Sequence, residues 1–421
     1  MIVSGSIRVP GDKSLTHRAL LFASMARGRC HIGGTLTSLD ARSSARVLRQ
    51  LGATVAPLRE GATVTITGRG RLHRPDSVLD CGNSGTTTRL LLGLLAGHRF
   101  SATLTGDASL RRRPMKRVTE PLALMGARFT GPDPDRLPIT VRGGPLRPLE
   151  WRMPVSSAQI KSSLLLAGVA GGVEVAVHEP HGRSRDHTER MLRSFGYRVE
   201  EEGGWIRLAP TGRIVPFDMQ VPGDPSSAVF PVAAALLAES GELRITAVGV
   251  NPTRIGFVTV LGRMGARLAV ENLEESFHEP VGDLVARPST LAATEVLAGE
   301  IPGLIDEIPM LAALATQAIG TTIFREVGEL RVKESDRLGL IASNIRALGG
   351  KAEVRDNDLF VEGTGAPPRG RVITEGDHRI AMAFAVLGTL PGAKVTIDNI
   401  ACAAVSYPGF PAMLKTIRSR G

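Results

Sequence analysis

One short pattern returns six times along this chain: an amphipathic stretch, a bulky apolar residue or Gly, then Gly, then a residue that opens a strand. It reads LRQLGATV from Leu48, LALMGARF from Leu122, LRSFGYRV from Leu192, LGRMGARL from Leu261 and IRALGGKA from Ile345. The last residues, LKTIRSRG, look like the same helix ending without its strand. Steps between the glycines (Gly52, Gly126, Gly196, Gly265, Gly349 and Gly421) are 74, 70, 69, 84 and 72 residues. Each glycine stands where a helix would end in a left-handed cap. Units of this length are too long for a solenoid and fit one duplicated supersecondary module. Strand-like runs between them, ATVTITG at Ala62, LPITVRG at Leu137 and GELRITAV at Gly241, predict an α/β arrangement.

A larger symmetry overlies the small one. PGDKSLTHRALLFASMA begins at Pro10 and PGDPSSAVFPVAAALLA at Pro222, 212 residues later and close to half the chain. The sequence therefore reads as two homologous halves of three modules each. A length of 421 residues exceeds what one hydrophobic core usually serves, which also favours two domains.

The chemistry-bearing residues lie at predicted helix starts. Gly11-Asp12-Lys13-Ser14, Asn83-Ser84-Gly85-Thr86 and Ser156-Ser157-Ala158-Gln159 each lead into an apolar helix. In the second half Asp306-Glu307, Lys333-Glu334-Ser335-Asp336-Arg337 and Gly376-Asp377-His378-Arg379 do the same. Small polar residues at such positions ordinarily cap unpaired backbone N–H groups. The cations beside them change the reading. Lys13, Arg18, Lys333, Arg337 and Arg379 oppose the helix dipole by about 0.3–1 kcal/mol each unless an anion is present. A bound anion reverses that penalty and accepts the free N–H groups. The excess of 51 Lys and Arg over 41 Asp and Glu points the same way, to phosphorylated metabolites or nucleic acid.

Other motifs carry less. Asp12 stands where a phosphate-binding P-loop needs Gly next to Lys. Ser84 lacks the flanking glycines of a hydrolase nucleophile. His178, His181 and His187 in HEPHGRSRDH read better as a solvated loop capped by Asp186 than as metal ligands. The basic run Arg111–Arg117 has no nucleic-acid-binding module around it, and a loop closing over a charged small molecule fits equally well. Asp306 and Glu307, inside the apolar GLIDEIPML, are candidate bases if they sit among cations. Three scattered cysteines give no disulfide framework and suit a reducing compartment. No basic-then-apolar leader is visible, and the apolar stretch from Ala228 to Ala238 is too short to cross a bilayer.

Taken in order, PGDKSLTHRA, GNSGTTTRL, GDASLRRRPMKRV, SSAQIKSSLLLAG, RDHTERML, VPGDPSS, NPTR, LIDEIPML, ELRVKESDRL and GDHRIAMAFAV resemble the 5-enolpyruvylshikimate-3-phosphate synthases almost end to end. The resemblance implies a two-domain inside-out α/β barrel of six βαβαββ repeats, three per domain, helices inside and sheets outside. It places residues 12–222 in one lobe and 1–11 with 223–421 in the other, crossings near Gly11-Asp12 and Pro222-Gly223, and the active site in the cleft. The implied reaction moves the enolpyruvyl group of phosphoenolpyruvate to the 5-hydroxyl of shikimate-3-phosphate, with neither metal nor organic cofactor.

By motif position, Lys13, Ser14, Arg18, Ser157, Ala158, Gln159, Arg185, Asp306 and Lys333 resemble the shikimate-3-phosphate contacts. Lys13, Asn83, Gly85, Thr86, Arg113, Gln159, Arg337 and Arg379 resemble those for phosphoenolpyruvate. Asp306, Glu334 and Lys13 correspond to the catalytic groups, with Asp306 as proton acceptor and Glu334 beside the reacting methylene. Two positions depart from well-known members: Val405 replaces a Lys, and Glu329 an Asn. Gly85 leaves room beside the enolpyruvyl group, which implies inhibition by glyphosate. The family also implies a cytoplasmic monomer with no membrane or nucleic-acid partner. The rivals are a UDP-N-acetylglucosamine enolpyruvyl transferase, which would carry a reactive Cys in Arg111–Arg117, and a basic nucleic-acid-binding protein.

Overall fold

The helices of the repeated pattern lead into glycines with positive φ, and the backbone there shows why the pattern repeats. In the computed structural model, which describes residues 1–180 and 182–419, the N–H of Ala53 bonds to the carbonyl of Leu48 across Gly52, whose φ is +94°. Ala127 to Leu122, Tyr197 to Leu192, Ala266 to Leu261 and Gly350 to Ile345 repeat this bond. A side chain at the cap would meet the carbonyl beside it, so glycine is the residue that ends the helix and turns the chain into a strand.

The first unit comprises Gly11–Val221 and Ser276–Glu279. Its helices are α1 (Lys13–Met25), α2 (Leu39–Gln50), α3 (Gly85–Ala96), α4 (Ala108–Arg112), α5 (Lys116–Leu124), α6 (Ala158–Gly171) and α7 (His187–Ser194). Three four-stranded sheets share one plan, a parallel pair followed by two antiparallel strands. One orders Leu79–Asp80, Ser101–Thr105, Ile139–Arg142 and Arg128–Thr130. With α3 and α5 it spells βαβαββ. The sheet built on Arg27–Gly33 is completed by Asp218–Gln220, which pairs in parallel from the far end of the unit.

The second unit comprises Met1–Pro10, Pro222–Glu275 and Pro280–Gly421. It holds α8 (Pro225–Leu236), α9 (Gly256–Arg263), α10 (Ile308–Ala315), α11 (Arg337–Ala347), α12 (His378–Leu387) and α13 (Phe410–Thr416). The N-terminal strand Gly5–Ile7 lies parallel to Leu243–Gly249, which is why the first ten residues belong here.

In both units the central helices are apolar all round. Every residue of α8 and α10 is buried, and α3 is buried except at Thr86. Such helices are interior elements rather than amphipathic covers. In α3, Gly93 permits that packing: a Cβ there would lie 2.0 Å from the carbonyl oxygen of Ser163 on α6. Among the described residues no helix is long and apolar enough to cross a membrane.

Three expectations change. The last repeat does have a strand: Arg418–Ser419 follows α13 and pairs antiparallel with Ile2–Val3. The pair is too short to read from sequence, and its partner lies at the other end of the chain; Gly421 falls outside the described residues. Residues 276–279, expected with the second half, group with the first unit. There Phe277 packs on Phe195 and Phe217, and Glu279 accepts a bond from His187 Nδ1 at 2.7 Å. Finally, Arg111–Arg117 is not one loop. Arg111 and Arg112 end α4, Lys116 and Arg117 begin α5, and of these five basic residues Arg113 alone is buried.

Candidate active site

In the first unit, three helix starts carry the expected polar residues. Asp12 caps α1 by accepting from the Leu15 N–H at 2.7 Å, and Lys13 Nζ reaches Asp40 Oδ2 at 3.3 Å. Arg18 is buried. Its Nε donates to Thr188 Oγ1, Nη1 to the Ser14 carbonyl and Nη2 to Ser162 Oγ, at 2.8, 3.0 and 2.8 Å. Burial lowers its pKa to about 10, against the pull of Glu189 and Asp12. Arg185 Nη1 lies 3.5 Å from Ser14 Oγ, so Ser14, Arg18 and Arg185 form one group.

At the start of α3, Ser84 caps the Thr87 N–H, while Asn83 donates to Asp107 Oδ2 and accepts from Arg113 Nη2 at 2.8 Å. Gln159, in the first turn of α6, donates to Thr86 Oγ1 at 3.1 Å and accepts from Arg89 Nη1. A Cβ on Gly85 would stand 3.1 Å from Arg89 Nη1 and 3.2 Å from Arg113 Nη1. Asn83, Gly85, Thr86, Arg113 and Gln159 are thus brought together. Arg89 joins them unanticipated; its one sequence signal was a lone cation inside the apolar run TTTRLLLGLLA. Ser157 and Ala158 sit at the cap and first residue of α6, and the Ser157 side chain makes no cap bond.

In the second unit the cations are ringed by carboxylates. Arg337, fully buried, bonds through Nε to Asp377 Oδ2 at 2.8 Å and through Nη1 to Asp306 Oδ1 at 3.1 Å, and its Nη2 pairs with Glu334 Oε2 at 2.5 Å. Burial works against its charge, but Asp377, Glu334 and Asp306 outweigh burial and raise its pKa. Asp377 in turn stays below the usual carboxylate range: burial raises it and Arg337 more than compensates. Asp377 also caps α12 through the Arg379 N–H at 2.9 Å, and Arg379 Nη1 donates to the Asp306 carbonyl at 2.8 Å. Lys333 precedes α11; burial lowers its pKa against Asp306 and Glu329. Asp306, Lys333, Glu334, Arg337 and Arg379 therefore form one cluster.

Two further residues touch this cluster. His378 is buried beside Asp377, and its Nδ1 lies 2.5 Å from Ser406 Oγ. The segment that lacks a lysine at Val405 thus still reaches the cluster through the next residue. Glu329 lies 3.9 Å from Lys333, a weak pair on a half-exposed turn.

The HEPHGRSRDH segment is solvated only in part: Gly182 and Arg183 are exposed, whereas Glu179, Ser184, Asp186 and His187 are buried. Lys161 is buried between Glu179 Oε2 at 2.9 Å and Glu189 Oε1 at 2.8 Å, and Ser184 closes on Glu179. Asp186 is buried and takes Arg190 Nε at 3.0 Å rather than a backbone N–H. His178 packs on Trp205, His187 is engaged by Glu279, and His181 lies outside the described residues.

Comparison with known proteins follows the same motifs. The family described as EPSP synthase (3-phosphoshikimate 1-carboxyvinyltransferase) matches residues 2–414. A 3-phosphoshikimate 1-carboxyvinyltransferase of Thermus thermophilus is 50% identical over 409 residues, covering 96% of this chain and 94% of that protein. One of Acidiphilium cryptum is 46% identical over 421 residues, covering 99% and 94%. The solved EPSP synthase of Acinetobacter baumannii superposes with a TM-score of 0.87 at 38% identity, over 99% of this chain and 96% of that one. The enolpyruvyl transferase NikO of Streptomyces tendae, at 19% identity and a TM-score of 0.77 over 99% and 95%, shares the fold.

Proposed function

Because the chain belongs to the EPSP synthase (3-phosphoshikimate 1-carboxyvinyltransferase) family, we propose roles for its two clusters in that reaction. The enzyme transfers the enolpyruvyl group of phosphoenolpyruvate to the 5-hydroxyl of shikimate-3-phosphate and releases phosphate, a step of the shikimate pathway. The hydroxyl oxygen bonds to C2 of the enol while C3 gains a proton. The tetrahedral adduct then loses a proton from C3, re-forms the double bond and expels phosphate.

In the first unit Asn83, Gly85 and Thr86 offer the start of α3 to phosphoenolpyruvate, with Arg113 and Gln159 alongside. Helix N-terminal N–H groups and planar guanidinium donors suit its carboxylate and phosphate. Lys13, Ser14, Arg18, Ser157, Ala158, Gln159 and Arg185 take shikimate-3-phosphate, Lys13 serving both substrates. Arg18 acts from behind Ser14, since each of its three nitrogens already donates to Thr188, Ser14 or Ser162.

In the second unit Asp306 accepts the 5-hydroxyl proton with Lys333 beside it, and Glu334 works at the methylene carbon. Arg337 and Arg379 hold phosphoenolpyruvate. Arg337 exchanges Glu334, the more exposed of its partners, for the substrate carboxylate, while Asp377 stays in place. The observation that carries this reading is that Asp306 and Glu334 flank the same buried guanidinium. One buried guanidinium thus places the two carboxylates side by side, where one can take a proton and the other can deliver one.

Glyphosate competes with phosphoenolpyruvate at the Gly85 cradle, and the enzyme acts as a cytoplasmic monomer. A phosphate-release assay tests the reading: release must need both substrates, and glyphosate must slow it when phosphoenolpyruvate is near its KM. Release with UDP-N-acetylglucosamine in place of shikimate-3-phosphate would replace this assignment with the sister transferase.

A further inference from the structure

A chain of buried hydroxyls joins α1 to the start of α3. His17 Nδ1 lies 2.7 Å from Ser44 Oγ on α2, Ser44 Oγ lies 2.6 Å from Thr87 Oγ1, and Thr87 Oγ1 donates to Ser84 Oγ at 2.7 Å. His17 and Ser44 are fully buried, Ser84 and Thr87 nearly so. Ser84 also receives the Thr87 N–H at 3.2 Å, so the relay ends on the residue that shapes the first turn of α3. We propose that His17 is a positioning residue for the phosphoenolpyruvate cradle, acting through Ser44 and Thr87 on Ser84.

Each hydroxyl has one proton to give. Thr87 gives its proton to Ser84, so Ser44 must give to Thr87, and the remaining acceptor at Ser44 must be filled by an N–H on His17 Nδ1. The histidine tautomer is thereby set, and with it the direction of every bond in the relay. A charged imidazolium would also donate from Nδ1, but burial beside Lys13 and Arg18 drives the pKa to about 3 and keeps the ring neutral. The second nitrogen, Nε2, has no hydrogen-bond partner among the described residues, so within them the ring has a single hydrogen-bonding task. His17 stands on the helix that begins with Lys13 and Ser14, four residues from Lys13. It therefore holds the α3 turn in register with the α1 residues assigned to shikimate-3-phosphate. Without the terminal donor, Ser44 and Thr87 can rotate, and Ser84 loses one of its two donors. The turn carrying Asn83, Gly85 and Thr86 then loosens.

The inference rests on the reading of α3 as the phosphoenolpyruvate cradle. His17→Ala is expected to raise KM for phosphoenolpyruvate about tenfold, the worth of one to two buried hydrogen bonds, with KM for shikimate-3-phosphate within about twofold of the parent. His17→Asn places an amide N–H where Nδ1 stood and is expected to restore KM; His17→Gln places it at Nε2 and is not. Ser44→Ala breaks the same relay with little loss of volume and must reproduce the alanine effect, which covers the case that His17→Ala does not fold. Equal KM changes in the Ala and Asn variants, or unchanged KM for phosphoenolpyruvate in Ser44→Ala, overturn the proposal. Thr86→Val and Arg113→Gln are measured in parallel. If they leave KM for phosphoenolpyruvate unchanged, the cradle reading fails and the inference falls with it. If they raise it while the His17 and Ser44 variants do not, the relay alone is wrong.

Discussion

Arg337 and Asp377, forty residues apart in sequence, meet through a 2.8 Å bond between Nε and Oδ2 with both side chains closed to solvent. The same carboxylate caps α12, so one group fixes Arg337 and sets the helix that presents Arg379.

Removing that carboxylate leaves a buried cation short of a partner. Asp377→Ala is expected to lower stability by about 3–5 kcal/mol, the usual cost of breaking a buried pair. Asp377→Asn keeps a capping oxygen and should lose less. Chemical denaturation of both variants decides it; equal, small losses in the two would mean that the pair carries little.

Asp306 is reachable by solvent and anchors no helix cap, so its loss should spare the fold. Asp306→Ala is expected to cut kcat by about 10²–10⁴ with the melting curve nearly unchanged. Near-normal turnover removes Asp306 from the proton-accepting role.

Adding one methyl at Gly85 presses on two cations. Its Cβ would stand 3.1 Å from Arg89 Nη1 and 3.2 Å from Arg113 Nη1, tighter than ordinary contact. Gly85→Ala is expected to raise KM for phosphoenolpyruvate and weaken glyphosate inhibition together. Weakened inhibition with unchanged KM would show that the two do not share this turn in the way proposed.

Lys161 keeps two buried carboxylates, Glu179 and Glu189, in balance. Burial lowers its pKa, but those carboxylates outweigh burial and hold it above its ordinary 10.5. A raised cation contributes stability below its unfolded pKa and loses it as pH rises through the folded value, so the triad is intact at neutral pH. Lys161→Met should cost about 3–5 kcal/mol at pH 7.5 and less at pH 5, where the stranded carboxylates can take up protons. A deficit that does not shrink on acidification would count against this account.

His17 works in the opposite sense. In the unfolded chain it binds a proton below 6.5, whereas in the fold it does so only near pH 3. The unfolded state binds more protons across that window, so stability falls with falling pH by up to about 1.4 kcal/mol per unit from this group. His17→Asn should flatten the stability–pH curve by one proton between pH 6 and 4. An unchanged slope would mean the ring is not held neutral.

Features that depend on near neighbours were legible in the amino-acid order. The glycines of the repeat end their helices, and Asp12, Ser84 and Asp377 cap the helices that follow them, because backbone sterics and hydrogen bonds within a few residues settle both. The likeness of the segments at Pro10 and Pro222 falls where the chain passes from one unit to the other. Which distant groups meet came from the folded chain. Arg89 joins Gln159 across 70 residues, Ser406 reaches His378, and Phe277 leaves its own half of the sequence for the Phe195 and Phe217 rings. Folding also turned Arg113 inward while Arg111 and Arg112 stayed out. A run of like charges has no periodicity that distinguishes its members; the interior admits a cation where partners such as Asn83 satisfy it, and those partners come from elsewhere in the chain.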